Sequence, residues 1–213
     1  MNVLVACEES QRVCTAFRAK GHNAFSCDII DCSGGHPEWH IKQDVLPLLN
    51  GRCEFTTCDG ELHTISGKWD LIIAHPPCTY LSNAGARFLY PKGILNEERL
   101  KKGLEAKEFF MALYNADCEK ICVENPIPSK VYELPPYSQI VQPYEHGHPV
   151  QKKTCLWLKG LPLLKPTNIV EERESTKIAG NWYNKGGKDR QRNRAKTFPG
   201  IAAAMAEQWG GTL

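Results

Sequence analysis

An apolar run opened by an acid and closed by two prolines, Trp69-Asp70-Leu71-Ile72-Ile73-Ala74-His75-Pro76-Pro77-Cys78, fixes one point of this chain more firmly than any other. The short apolar stretch after Asp70 reads as a buried strand. Proline lacks the N–H that a central strand needs, so Pro76 and Pro77 end it. Cys78 then stands on a stiff loop at the carboxyl end of the strand, where open α/β sheets place their ligands. Forty-six residues later, Ile121-Cys122-Val123-Glu124-Asn125-Pro126 repeats the plan of strand, polar pair and proline. A thiol and a carboxylate on two such loops can act together on one substrate atom.

The rest of the pattern alternates strands and helices. Residues 2–7 read as a first strand, 11–20 as a helix with Gly21 as its C-cap, and Asn23 to Asp28 as a second strand ending in an acid. Cys32–Pro37 is loop by composition. His40 to Asp44 is a short third strand, followed by a helical turn or two over 45–50. Residues 51–68, with Asp59-Gly60 and Ser66-Gly67, read as an inserted hairpin. Glu97 to Tyr114 is amphipathic, with a stripe through Leu100, Leu104, Lys107, Phe110, Met111, Leu113 and Tyr114. A strand at 120–125, a proline-rich loop at 126–143, a strand at 153–158 and a helix at 199–209 complete the reading. The alternation predicts a doubly wound α/β sheet with helices on both faces.

The chain has 213 residues, room for one good core and at most a small lobe beside it. No apolar run is long enough to cross a bilayer, and no basic region precedes Val3, so neither a membrane span nor a signal peptide is expected. Ten cysteines of irregular spacing, without a secretory signal, read as reduced thiols of a cytoplasmic protein. Cys27 and Cys32, Cys53 and Cys58, with His36, His40 and His63, lack the close pairing of a zinc site, and no metal is expected. The net charge of +2 is unevenly spread: residues 182–213 carry net +4 and the remainder net −2. A basic stretch on a near-neutral body points to contact with a polyanion.

Taken together, Pro76-Pro77-Cys78 after one strand and Glu124-Asn125 after the next resemble the cytosine-C5 DNA methyltransferase family. Gln151-Lys152-Lys153-Thr154 is similar to that family's Gln-x-Arg-x-Arg element, and Phe198-Pro199-Gly200 through Trp209 to its closing helix. The resemblance implies a Rossmann-like sheet that uses S-adenosylmethionine, with Cys78 as the nucleophile that adds to C6 of cytosine. It implies that Glu124 holds a proton against N3, with the raised pKa this requires. Asn125 would fix the loop, and Lys153 would offer a cation to the base or its phosphate. The Cys78 thiol would need a nearby cation or helix start to lower its pKa.

For the cofactor, the resemblance implies the loop from Ala6 through Cys7, Glu8, Ser10 and Gln11, with N–H groups at the following helix start meeting the donor's carboxylate. Asp28 would take the ribose hydroxyls, Ile29 would pack on the adenine and Asp44 would accept from its amino group, with Pro76 a further contact. Three departures stand out. The family's Phe-x-Gly-x-Gly loop is here Cys7-Glu8-Glu9-Ser10-Gln11, without glycine, which denies the backbone cheap positive φ and close approach. Lys153 and Cys155 replace the arginines of the Gln-x-Arg-x-Arg element. Only residues 160–198 are left for reading a target, enough to hold phosphates and stack a base but not for long sequence readout. Such reduced forms resemble bacteriophage and prophage members.

The expected organisation is a catalytic core over 1–159, a small basic lobe over 160–198 that contacts DNA, and a helix over 199–213 packing back on the core. The nucleic-acid contacts expected are Gln151, Lys152, Trp182, Tyr183, Lys188, Arg190, Arg192 and Arg194. DNA, flipped or single-stranded at the target base, is the expected partner. RNA, free cytosine nucleotides, or mere binding of nucleic acid or cofactor without catalysis remain open alternatives.

Overall fold

The computed structural model describes residues 1–50, 52–175 and 190–211. Its elements run β1 (Asn2–Ala6), α1 (Arg12–Ala19), β2 (Asn23–Asp28), β3 (His40–Lys42), β4 (Cys53–Thr56), β5 (Leu62–Ile65), β6 (Leu71–Ala74) and α2 (Asn83–Ala86). They continue with α3 (Glu97–Tyr114), β7 (Ile121–Pro126), β8 (Gln139–Val141), β9 (Val150–Gln151), β10 (Thr154–Lys159), β11 (Glu174–Ser175), α4 (Arg190–Ala195) and α5 (Pro199–Trp209). Short 3-10 turns join several of them.

A seven-stranded sheet in the order β3-β2-β1-β6-β7-β10-β8 forms the centre. The first five strands of that order are parallel. β10 runs antiparallel between β7 and β8. β4 and β5 form the separate hairpin that Asp59-Gly60 signalled. The sheet is covered on both faces, and β1 shows why: Val3 and Val5 point to one side, Leu4 and Ala6 to the other, and all four are buried. Val3, Val5 and Ile73 pack with Val13 and Phe17 of α1 and with Ile201, Met205 and Trp209 of α5. Leu4, Ile72 and Val123 pack with Phe110 and Leu113 of α3 and with Trp157. This is the doubly wound α/β arrangement that the alternation predicted.

α3 begins where the sequence placed it. The Asn96 side chain accepts from the Arg99 N–H at 2.9 Å, and Glu97 and Glu98 occupy the first turn, where acids favour the helix dipole. Its buried stripe differs from the expected one. Leu104 is exposed, and Gly103 faces inward instead. A Cβ at Gly103 would lie 2.2 Å from the Tyr132 ring, so the bare backbone is what lets Tyr132 bury there. β8 was not read from the sequence, because prolines flank it on both sides. It forms an edge strand that, among the described residues, pairs with β10 alone, a place where nearby prolines are tolerated.

The order of strands reverses between β1 and β6. Chain connections leave these two neighbours in opposite directions, which opens a crevice beyond their carboxyl ends. The loop after β1 begins at Cys7 and the loop after β6 at His75, so both loops singled out by the sequence reach that crevice.

Candidate active site

Glu124 lies on β7, next to β6, and its carboxylate meets His75 across the strand boundary. His75 Nδ1 and Glu124 Oε2 are 2.9 Å apart, and their side chains are only 8% and 14% exposed. Burial works against the Glu124 charge. The hydrogen bond with His75 and the charges of Lys152 and His75 outweigh it and hold the carboxyl below the ordinary carboxylate range. Burial likewise favours a neutral His75. The hydrogen bond and charge of Glu124, with the charge of Glu8, reverse this against repulsion from Lys152, and the imidazole pKa is raised. Both shifts favour the imidazolium–carboxylate form of the pair. The sequence expectation of a protonated Glu124 is thereby corrected: the raised pKa belongs to His75, which sequence reasoning gave no role although it directly precedes the prolines.

Cys78 is half-buried beyond Pro76 and Pro77. Burial first, then the Glu124 charge, raise its thiol pKa, while Lys152 and Arg194 pull it down. The net shift is upward, so the resting thiol is neutral, contrary to the lowered pKa expected from the sequence. The cations needed to stabilise a thiolate are nevertheless beside it.

Of the adjacent lysines, Lys152 is the one at the site. It lines a cleft with His75, Glu124, Thr154, Thr197, Phe198, Ile201 and Met205. Its Nζ donates to the Arg194 carbonyl at 3.0 Å. Lys153, expected to be the catalytic cation, is exposed and not part of the cleft. Both lysines lie in the two-residue link between β9 and β10; the Lys152 side chain is half-buried in the cleft and that of Lys153 is exposed. Cys155, in the place of a second arginine, is a buried core thiol. Asn125 is buried, with its Nδ2 donating to the Pro126 carbonyl at 2.9 Å, while its Oδ1 has no partner among the described residues.

The loop after β1 closes on itself. Cys7 and Gln11 both adopt positive φ, 58° and 57°, so the left-handed geometry expected of glycine is taken by side-chain-bearing residues. Other contacts hold them there. The Glu8 carboxylate accepts from the Val13 N–H at 2.6 Å and the Cys14 N–H at 3.1 Å. It thus occupies the first turn of α1, where the donor's carboxylate was expected to dock. Gln11 is fully buried; its Nε2 donates to the His36 carbonyl at 2.7 Å and its Oε1 accepts from the His36 N–H at 3.1 Å. Gly34 lies so close that a Cβ there would come within 2.5 Å of the Gln11 Cβ. Ser10 is buried as well. In this structure Glu8, Ser10 and Gln11, expected to contact a ligand, build and cover the loop.

The remaining cofactor positions are open. Asp28 ends β2 half-buried; burial raises its carboxyl pKa against hydrogen bonds from the Ile30 and Ile29 backbone. Ile29 is 73% exposed. Asp44 is exposed, and its Oδ1 accepts from the Leu46 N–H. The Asp28–Ile30 turn is braced by His40, whose Nε2 lies 2.9 Å from the Ile30 carbonyl and whose Nδ1 lies 2.9 Å from Ser26 Oγ. With Nε2 donating, Nδ1 accepts from the Ser26 hydroxyl, a buried polar pair that no sequence pattern announced. Ala6 and Pro76 are buried where β1 and β6 end. An acid and an exposed apolar side chain at this edge fit the nucleoside end of a donor such as S-adenosylmethionine. The amino-acid end finds no free helix start.

Two cations hold the backbone of 194–197, and a third, Lys196 within it, reaches out to the loop after β2. Arg12 Nη1 donates to the Thr197 carbonyl at 2.7 Å, Lys152 to that of Arg194, and Lys196 Nζ to Ser33 Oγ at 3.1 Å. Arg190, Arg192 and Arg194 lie on α4. Gln151 is exposed at the end of β9. Trp182, Tyr183 and Lys188 lie outside the described residues.

Three solved methyltransferase structures resemble this chain in fold. One is a DNA modification methyltransferase encoded within an E. coli prophage, at 14% identity and a TM-score of 0.45, with 83% of this chain and 53% of that one covered. The others are the Entamoeba histolytica methyltransferase EhMeth (14%, 0.43, 85% and 60%) and the S. pombe Dnmt2 methyltransferase (14%, 0.38, 88% and 56%). The chain spans between about half and three-fifths of their lengths. No family model and no curated protein matches the sequence.

Proposed function

We propose that this chain transfers a methyl group to C5 of cytosine in nucleic acid, DNA by preference, through a covalent bond between Cys78 and C6. The observation that carries the reading is that Glu124 on β7 and Lys152 after β9 share one cleft beside the strand-order reversal, and that both charges act on the Cys78 thiol after β6. S-adenosylmethionine, when bound, supplies the electrophilic methyl. Asp28, Ile29 and Asp44 are the residues to hold its nucleoside end.

Cytosine C5 is a weak nucleophile. The Cys78 thiol loses its proton to solvent and the thiolate adds to C6, which moves the ring's π electrons toward C5. Lys152 and Arg194 offset the thiolate charge. A proton placed on N3 by way of Glu124 accepts the electron density that the attack pushes into the ring, so its benefit is greatest in the transition state. After methylation at C5, loss of the C5 proton drives out the thiolate and restores the ring. Because the thiol is neutral at rest, attack waits until substrate enters the cleft, which protects Cys78 from idle oxidation.

Trapping decides the matter. A 5-fluorocytosine oligonucleotide with the methyl donor should give a denaturation-resistant adduct at Cys78, since fluorine cannot leave as a proton does. DNA, RNA and nucleotide forms of the probe rank the substrates. Absence of any adduct, with cofactor or oligonucleotide still bound, would favour a binding protein without catalysis, the reading to which the closed loop at Glu8 lends support.

A further inference from the structure

We propose that His75 is the proton store of the site, a positioning residue that lends its proton through Glu124 to the substrate base. The inference rests on the methyl-transfer reading above. Three geometric facts support it. His75 Nδ1 lies 2.9 Å from Glu124 Oε2 with both side chains almost wholly buried, so the shared proton has no direct competition from water. His75 also lines the cleft, and its Nε2 has no partner among the described residues. The backbone around it is held: Pro76 and Pro77 follow, and the His75 N–H donates to the Ala6 carbonyl at 2.9 Å.

A carboxylate that must protonate a ring nitrogen is poorly served when it rests ionised. Here the proton is kept one bond away. As a base approaches, the Nδ1 proton passes to Glu124 Oε2, and the neutral carboxyl so formed turns toward the base and hands that same proton to N3. The imidazole ends neutral, Glu124 ends as it began, and the base carries the positive charge. When the ring is restored, the proton returns by the same route. The charged groups facing His75 set the balance: Glu124 on β7 and Glu8 after β1 favour the imidazolium, and Lys152 after β9 opposes it. Burial works against the imidazolium, but the hydrogen bond and charge of Glu124 with the charge of Glu8 raise the imidazole pKa and so favour a filled store over that of an ordinary histidine.

The test has two arms. Imidazole NMR of the full-length protein with labelled histidine follows the His75 titration in wild type and in Glu124→Gln. The store requires wild-type His75 to titrate above the ordinary histidine value, and Glu124→Gln to lower that value by about one unit or more. Single-turnover methylation of an oligonucleotide is measured against pH for wild type and His75→Gln, which can still hydrogen-bond to Glu124 but holds no ionisable proton. The variant should be slower by about a hundredfold near neutrality, and its optimum should move to acid pH, where Glu124 itself must be protonated. A variant that keeps the wild-type profile, or a His75 that titrates at or below the ordinary value, overturns the proposal. If the wild-type protein transfers no methyl at all, the functional reading fails. The NMR arm still shows in that case whether the pair stores a proton.

Discussion

The carboxyl ends of β6 and β7 and the carboxyl end of β1 meet at one crevice but are built in opposite ways. At β6 and β7, titratable side chains line one cleft: His75 and Glu124 bond to each other, and the Lys152 charge acts on both. At β1, the side chains turn back on their own loop. Glu8 satisfies the start of α1, and Gln11 clasps the backbone of His36. The first region keeps its polar groups available for a substrate at the cost of holding charges under cover. The second meets its own hydrogen-bonding needs and leaves ligand contact to the neighbouring edge at Asp28 and Ile29. A buried charge kept in partnership with another is a mark of chemistry, whereas a buried carboxylate that caps a helix is a mark of architecture.

The largest expected effect breaks the first region. Cys78→Ala should remove detectable methyl transfer and the 5-fluorocytosine adduct, with circular dichroism and thermal midpoint essentially unchanged, because the thiol lies outside the core. Retained turnover would remove Cys78 from the chemistry.

Glu124→Gln should slow single turnover by roughly 10² to 10³-fold and leave oligonucleotide affinity within about threefold. It should also change how stability depends on pH. Glu124, with its folded pKa depressed, contributes stability that is present above the ordinary carboxylate value and lost as pH falls through the depressed one. His75, with its folded pKa raised, contributes stability that is present below the ordinary histidine value and lost as pH rises through the raised one. The pair therefore stabilises most between those ordinary values. Urea denaturation across pH should show that maximum flattened in Glu124→Gln.

Glu8→Ala tests the second region. It strands the Val13 and Cys14 N–H groups at the start of α1, and the loss should be about 2 kcal/mol in urea midpoint measurements. If instead the variant kept its stability and bound the methyl donor more tightly, Glu8 would be a displaceable occupant of a ligand site rather than a cap.

The smallest effect separates two adjacent lysines. Lys152→Ala should reduce turnover by about tenfold, through loss of the cation beside Cys78 and Glu124. Lys153→Ala should change turnover less than about twofold and stability by less than about 0.5 kcal/mol, as for an exposed side chain. Comparable losses would mean that the strand turns over when substrate binds.

Much of the sheet was legible because burial on both faces leaves a plain trace. Val3 to Ala6 and Leu71 to Ala74 are unbroken apolar runs, and Pro76 and Pro77 mark where one of them stops. The α3 bounds were legible from the amphipathic pattern of Glu97 to Tyr114. The α3 stripe was read less well, since Leu104 and Gly103 exchange their expected roles, and only the position of Tyr132 decides between them. β8 was hidden by prolines because an edge strand needs few of its own hydrogen bonds.

The spacing of strand ends by itself brought Cys78 and Glu124 to neighbouring loops, since a parallel sheet delivers successive strands to the same edge. The charge each group carries could not be read that way. Whether Glu124 holds a proton depends on His75 at 2.9 Å, whether a lysine serves the site depends on how the link between β9 and β10 turns it, and whether the α1 start is free depends on the fold of the Glu8 side chain. Order along the chain decides which residues arrive at the crevice. Distances of a few ångströms in a poorly solvated space decide their protonation and partners, because electrostatic and hydrogen-bond energies change steeply over that range.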